Sequence, residues 1–264
     1  MSGGPVNFRV SIAQQPLAWL DPAANRAHFA QVLAPLAGTT DFVVLPEMFT
    51  TGFTMQPEKH AEPSDGETRA WLRAQAIALD AAVGGSVAIN DQGRFYNRFM
   101  IATPDGPTYW YDKRHLFRVG GEHRHYSAGG HALIVEWRGA RLCPLVCYDL
   151  RFPVWSRRRP ELEYDVVIYS ANWPAARRFA WESLLRARAI ENQAYCVGVN
   201  RVGDDGLGVA HVGDSVVNDF MGTPLAELND QAQVVTVPLD LEALRAWRDK
   251  FPAHLDADAF SLNS

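Results

Sequence analysis

Val166-Val167-Ile168-Tyr169 is an unbroken apolar run, and the chain after it changes period: Phe179, Leu184, Leu185, Ala189 and Ile190 recur at helical spacing, with polar Glu182 and Arg186 between them. Residues 195–199 then return to an apolar run. Four apolar residues in a row read as a strand covered on both faces, and the spacing over 179–192 reads as a helix with one buried face. The same alternation extends outward in both directions. Val6, Phe8, Val10 and Ile12 alternate with small or polar residues as a half-buried strand does. Asp21-Pro22 offers an N-cap and a first-turn proline for a helix running towards Gly38. Residues 42–45 predict another covered strand, and 67–79 a helix opened by Ser64-Asp65. Residues 83–89 and 95–102 predict strands, and Asp105-Gly106 turns the chain into a hairpin with 108–111. Further strands are expected at 133–137 and 142–147 around Arg138-Gly139, and at 233–239, with a last helix over 241–250. Strands and helices in alternation, broken by hairpins, predict an α/β layered fold with mixed sheets. One domain covers 1–264; residues 251–264 read as a tail whose Phe260 and Leu262 pack on a neighbouring subunit.

Composition narrows the class. The 264 residues are 47% hydrophobic and 21% charged, enough to bury a single-domain core. The net charge is −5, from 25 Lys+Arg against 30 Asp+Glu, which argues against a nucleic-acid surface. Apolar stretches are interrupted well before the length of a membrane span, and the first ten residues lack a basic segment followed by an apolar one. Three cysteines make no disulfide framework, so a cytoplasmic setting is expected.

Three segments place a reactive side chain beside a covered strand. In Leu45-Pro46-Glu47-Met48-Phe49 the carboxylate emerges at a strand end between apolar neighbours. Burial there raises its proton affinity towards the range of a general base. In Trp110-Tyr111-Asp112-Lys113-Arg114-His115 the lysine ends a hairpin strand among aromatics, where a fixed positive charge can face an oxyanion. Asp112 points to the other face of that strand and is no partner for it. Cys147 is the last apolar residue before Tyr148-Asp149-Leu150-Arg151-Phe152-Pro153. A sharp strand-to-helix turn lifts a nucleophile out of a sheet, and a helix beginning near Pro153 would favour its thiolate. Cys143 and Cys196 read as small buried hydrophobes. Other chemistries fit less well. Cys143-x3-Cys147 is not redox spacing, His123-Arg124-His125 lacks further ligands for a metal, and the glycines of 203–213 form no phosphate loop. A Cys–His hydrolase using His115 or His211 has no recognisable signature.

With Glu47, Lys113 and Cys147 in that order, the chain resembles the nitrilase, or carbon-nitrogen hydrolase, superfamily. The motifs are Leu45-Pro46-Glu47, Asp112-Lys113-Arg114-His115-Leu116-Phe117 and Cys147-Tyr148-Asp149-Leu150-Arg151-Phe152-Pro153. Ser170-Ala171-Asn172-Trp173-Pro174 and the 186–195 string resemble the omega-amidase branch. The resemblance implies an α-β-β-α sandwich that pairs into a homodimer or larger assembly, and no metal or cofactor. It implies a second glutamate, matched by Glu122 ahead of Ser127-Ala128-Gly129, on a shorter gap from Lys113 than in some branches.

The implied reaction is hydrolysis of the terminal amide of 2-oxo acid amides such as 2-oxoglutaramate, through a thioester. Glu47 takes the Cys147 proton, Lys113 and the Tyr148 N–H hold the oxyanion, and Glu47 with Glu122 activates water. A carboxylate-bearing substrate needs a cation, for which Arg118, Arg151, Arg177 and Arg178 are candidates. Phe117 and Trp173 would form an apolar wall. The alternatives are a nitrilase or N-carbamoyl amino acid amidohydrolase on the same triad, a non-catalytic binding subunit, or a redox thiol protein.

Overall fold

The computed structural model describes residues 7–262; Val6, assigned to the first strand, lies outside them. Asn7–Gln14 is flanked by Phe42–Val44, parallel, and by Gln233–Asp240, antiparallel. Ala82–Asp91 adds parallel to Phe42–Val44, and Arg94–Ala102 and Thr108–Asp112 follow as the expected antiparallel hairpin. In the second sheet Tyr195–Asn200, Val166–Ala171 and Ala140–Val146 run parallel. Val135–Trp137 closes one edge; Val216–Asn218 and Pro224–Glu227 close the other, all antiparallel. Both sheets are therefore mixed.

Side-chain parity stacks them. Phe42 and Val44 point with Val10, Ile12, Phe99 and Ile101 onto Leu142, Val166 and Ile168 of the second sheet. Val43 and Leu45 point the other way, onto Phe29 and Leu33 of helix Pro22–Leu33 and Leu72 and Ala76 of helix Glu67–Leu79. Helix Arg178–Asn192 covers the outer face of the second sheet with Trp181, Leu185 and Ala189, all buried. Leu185 comes so close to Gly198 that a Cβ there would stand 2.4 Å from its Cδ1. The order of layers is helix, sheet, sheet, helix. Burying one Leu185-sized side chain contributes about 1.5–3 kcal/mol, and the apolar cluster on the two faces of the second sheet holds many such groups.

Several boundaries differ from the sequence reading. The first helix ends at Leu33 rather than near Gly38; Pro35 has no N–H to continue it, and Ala34–Leu36 tightens into a 3-10 turn. Helix Glu67–Leu79 is opened by Gly66, and the first-turn Thr68 N–H is taken by Glu62 Oε2 at 2.8 Å, not by Ser64 or Asp65. The strand expected at 133–137 begins only at Val135, and that expected at 142–147 ends at Val146. Glu62–Pro63, Val202–Asp204, Ala210–Val212, Val216–Asn218 and Pro224–Glu227 are too short to show a period. The tail lies partly on its own chain: Gln193 Nε2 donates to the Phe251 carbonyl at 2.6 Å, and the Arg159 guanidinium sits over the Phe260 ring. No helix of the described residues is long and apolar enough to cross a membrane.

Candidate active site

The two sheets meet at the C-terminal ends of their central strands, and there Glu47, Lys113, Glu122 and Cys147 converge. Pro46 ends the Phe42–Val44 strand, and the chain then crosses to the second sheet. The Glu47 N–H donates to the Ala171 carbonyl at 3.3 Å, Ser170 Oγ to the Leu45 carbonyl at 2.9 Å, and Asn172 Nδ2 to the Glu47 carbonyl. Lys113 leaves the end of Thr108–Asp112, its N–H bound to the Asn97 carbonyl at 2.9 Å and its carbonyl to the Gly129 N–H at 2.9 Å. Asp112, as its parity requires, turns away to Arg98 at 2.7 Å. Glu122 opens a short 3-10 turn on a loop, yet is fully buried.

The side chains meet through charge. Lys113 Nζ stands 2.8 Å from Glu47 Oε1, and 3.1 and 2.9 Å from the two Glu122 oxygens, with all three side chains sealed from solvent. Asn97 Nδ2 donates to Glu47 Oε1 at 2.8 Å and to Glu122 Oε1 at 3.0 Å. The Phe117 N–H meets Glu122 Oε2 at 2.6 Å, and the Asn172 N–H meets Glu47 Oε2 at 2.9 Å. An ionised carboxylate offers about four acceptor sites, two on each oxygen. Glu122 has all of them occupied. Glu47 has both sites on Oε1 occupied and one on Oε2, so it keeps one open site for an incoming proton. The two carboxylates therefore differ: Glu122 is saturated by donors and Glu47 is not.

Cys147 sits on a turn rather than in the strand. Its φ is +42°, a left-handed conformation uncommon for a residue with a side chain, and Met48 beside Glu47 has φ +43°. Asp149 fixes the turn, taking the Val146 N–H at 3.0 Å and Tyr111 OH at 2.8 Å on Oδ2, and the His115 N–H and Nδ1 on Oδ1. The sulfur lies 3.9 Å from the Asn172 carbonyl. Burial pushes the Cys147 thiol well above its usual range; the charge of Glu47 adds to this and that of Lys113 opposes it. The helix expected to favour a thiolate, Pro153–Ser156, is a single turn, and burial beside Glu47 acts against the thiolate instead. Burial works against the Lys113 ammonium, but the charges of Glu122 and Glu47 outweigh it and push Lys113 above its ordinary value. Burial likewise pushes the Glu122 carboxyl up, against the pull of Lys113.

Glu47, Lys113 and Cys147 line a cavity of about 380 Å³, from which Glu122 is set back. Tyr148, Phe117, Trp173, Arg151 and Arg177 line it as the sequence suggested. Arg151 stacks on the Trp173 ring with its Cζ 4.9 Å from the centroid, and Arg177 on Phe117 at 5.3 Å. Arg118 and Arg178 are not in the wall. Arg178 opens its helix turned towards Asp214, 2.8 Å away, and Glu182, and Arg118 is exposed on the loop outside. His115 is committed to Asp149 and stacked on Phe152, away from the sulfur's partners. Phe53, Met55, Asp205, Leu207, Val209 and His211 also line it, and the sequence did not point to them as wall residues. The last four come from the hairpin of Val202–Asp204 and Ala210–Val212. Burial holds the His211 imidazole below its usual range, with Arg201 adding to the effect. Among the described residues no group of three His, Cys, Asp or Glu side chains is placed to hold a metal ion, and His123 and His125 gain no further ligand.

Comparison with known proteins agrees with this arrangement. The family model for carbon-nitrogen hydrolases matches residues 9–249. The chain is 51% identical to the omega-amidase YafV of Yersinia enterocolitica over 97% of this chain and 98% of that one. It is 32% identical to the 2-oxoglutaramate amidase of Bacillus subtilis (strain 168), over 95% and 98%. Among solved structures it is similar to XC1258 from Xanthomonas campestris, a CN-hydrolase superfamily protein with an arsenic adduct in its active site. That likeness has a TM-score of 0.95 and 49% identity, over 97% of this chain and 99% of that one. The family-model match over most of the chain, relatives at this identity and the α/β layering together show that the chain is a hydrolase of non-peptide carbon–nitrogen bonds and belongs to the carbon-nitrogen hydrolase, or nitrilase, superfamily, in its omega-amidase-like branch.

Proposed function

We propose that this protein hydrolyses the terminal amide of 2-oxo acid amides, of which 2-oxoglutaramate is the type, to the dicarboxylic acid and ammonia. The observation that carries the reading is the single open acceptor site on Glu47 Oε2 in a cavity shared with Cys147 and Lys113. The thiol proton passes to Glu47 as Sγ bonds to the amide carbon. The oxyanion so formed is met by the Lys113 ammonium and the Tyr148 N–H. Glu47 then delivers the proton to nitrogen, the C–N bond breaks, ammonia leaves, and a thioester remains on Cys147. Water adds to the thioester carbon and gives its proton to Glu47. Collapse of that adduct breaks the S–C bond, and the proton returns to sulfur. Glu122 takes part by anchoring Lys113, not as a second base, since its acceptor sites are filled. Arg151 and Arg177, at the wall, would bind the substrate carboxylate, and Phe117 and Trp173 would flank its methylenes.

The three cysteines are free and buried, which supports a reducing cytoplasmic setting. Phe179 and Ile190 on helix Arg178–Asn192 and Phe251 and Leu255 in the tail are exposed apolar side chains, which supports a homodimer or larger homo-oligomer. The test of function is ammonia release over a panel of 2-oxoglutaramate, 2-oxosuccinamate, glutamine, simple nitriles and N-carbamoyl amino acids. The highest kcat/KM is expected for the 2-oxo acid amides. A preference for nitriles or carbamoyl amino acids would overturn the substrate assignment.

A further inference from the structure

Asn97 lies inside the Arg94–Ala102 strand, out of contact with solvent, on the face that also carries Phe99 and Ile101. Its neighbour Arg98 turns to the other face and pairs with Asp112 and Asp91. An amide on a core-facing position costs folding energy unless its groups are used. Asn97 uses only half of its side chain: Nδ2 meets Glu47 and Glu122, while Oδ1 has no partner among the described residues. Its backbone carbonyl holds the Lys113 N–H at 2.9 Å. One residue therefore touches Lys113 and both carboxylates that bind it.

The contacts form a closed ring in which donors and acceptors alternate: Lys113 Nζ, Glu47 Oε1, Asn97 Nδ2, Glu122 Oε1 and back to Nζ. Two like-charged oxygens are kept in place by donors on either side. We propose that Asn97 is a positioning residue for proton transfer: by filling the second acceptor site on both Oε1 atoms, it leaves Glu47 Oε2 as the one carboxylate position open to the Cys147 proton. The proposal rests on Glu47 being the base. Without the amide, Glu47 Oε1 and Glu122 Oε1 would each gain an open site beside the other. Two carboxylates placed so can share a proton and titrate above the ordinary range, which withdraws the base. Asn97 is absent from the cavity wall, so substrate affinity should not register its loss.

The experiment uses the full chain with Asn97→Ala, Asn97→Leu, which keeps the volume, and Asn97→Asp, which keeps the shape but replaces both donors with a charge. Steady-state rates on the fastest amide of the panel are measured across pH for each, per folded active site, with Glu47→Gln as a control. Asn97→Ala and Asn97→Leu are expected to lose about ten- to hundredfold in kcat, the worth of one to two charge-assisted hydrogen bonds. KM should change little, and the acidic limb of kcat/KM should move to higher pH. Asn97→Asp should move it further. A limb that stays where the wild type has it in all three variants, or a loss carried by KM, overturns the proposal. If Glu47→Gln retains activity, the base assignment itself has failed; if Glu47→Gln is inactive and the limb has not moved, only the role of Asn97 has.

Discussion

Val146 donates its backbone N–H to Asp149 Oδ2 at 3.0 Å, so the residue ahead of Cys147 is pinned by the side chain two positions beyond Cys147. The same carboxylate accepts from Tyr111 and His115, which flank Lys113. Asp149 thereby ties the sulfur's turn to the segment carrying the ammonium, although it touches neither reacting group.

Asp149→Ala should therefore damage both stability and rate. It strands the buried Val146 N–H and Tyr111 hydroxyl, at about 1–3 kcal/mol for each unsatisfied group. Loosening the turn at Cys147 should lower kcat by about a hundredfold, the cost of an ångström-scale misplacement. Urea unfolding and steady-state kinetics check the two effects. An unaltered kcat in the folded variant would contradict the account of the turn.

Arg151 and Arg177 are expected to read the substrate's carboxylate. Arg151→Gln and Arg177→Gln should each raise KM for a 2-oxo acid amide by about ten- to hundredfold, since a hydrogen bond to a charged group contributes about 1.5–3 kcal/mol. A neutral aliphatic amide of similar length should lose far less. Equal losses on both substrates would show that the guanidiniums serve the wall through their stacking on Trp173 and Phe117 instead.

Asp165 joins the last helix to the second sheet, holding Arg141 at 3.1 Å and Arg248 at 2.9 Å while nearly sealed from solvent. Burial works against its charge, but the hydrogen bonds from Arg141 and the neighbouring guanidiniums win, and the carboxyl titrates below its ordinary 3.8. A depressed folded-state value means stability is present above the unfolded value and lost as pH falls through the folded one. Asp165→Asn should cost about 3–5 kcal/mol near neutral pH by leaving Arg248 buried without its partner. The gap between wild type and variant should narrow on acidification below about pH 4. Denaturation curves at neutral and acidic pH measure it. A gap independent of pH would assign the loss to packing.

Where the sequence has a long period, it places the site. The apolar runs ahead of Pro46 and Tyr148 locate Glu47 and Cys147 at strand ends, and parity separates Lys113 from Asp112. Glu122 has no such signal, because its burial comes from Lys113 and the Phe117 N–H closing over a loop. Asn97 was visible in principle: a polar amide two residues ahead of Phe99, on the apolar parity of its strand, has no place in a plain core. Arg177 and Arg178 are adjacent, and only the start of the helix decides that one stacks at the cavity while the other turns to Asp214. The wall formed by Asp205, Leu207, Val209 and His211 rests on two three-residue strands, too short for any periodicity to reveal.

The central claim is that the Cys147 sulfur, relieved of its proton by Glu47, attacks the amide carbon. Ammonia release from 2-oxoglutaramate by folded Cys147→Ala, measured beside the wild type, tests it most directly. Loss of at least about a thousandfold in kcat/KM is predicted, as for removal of other nucleophiles. Turnover by Cys147→Ala within about tenfold of the wild type would place the chemistry on another group and contradict the account.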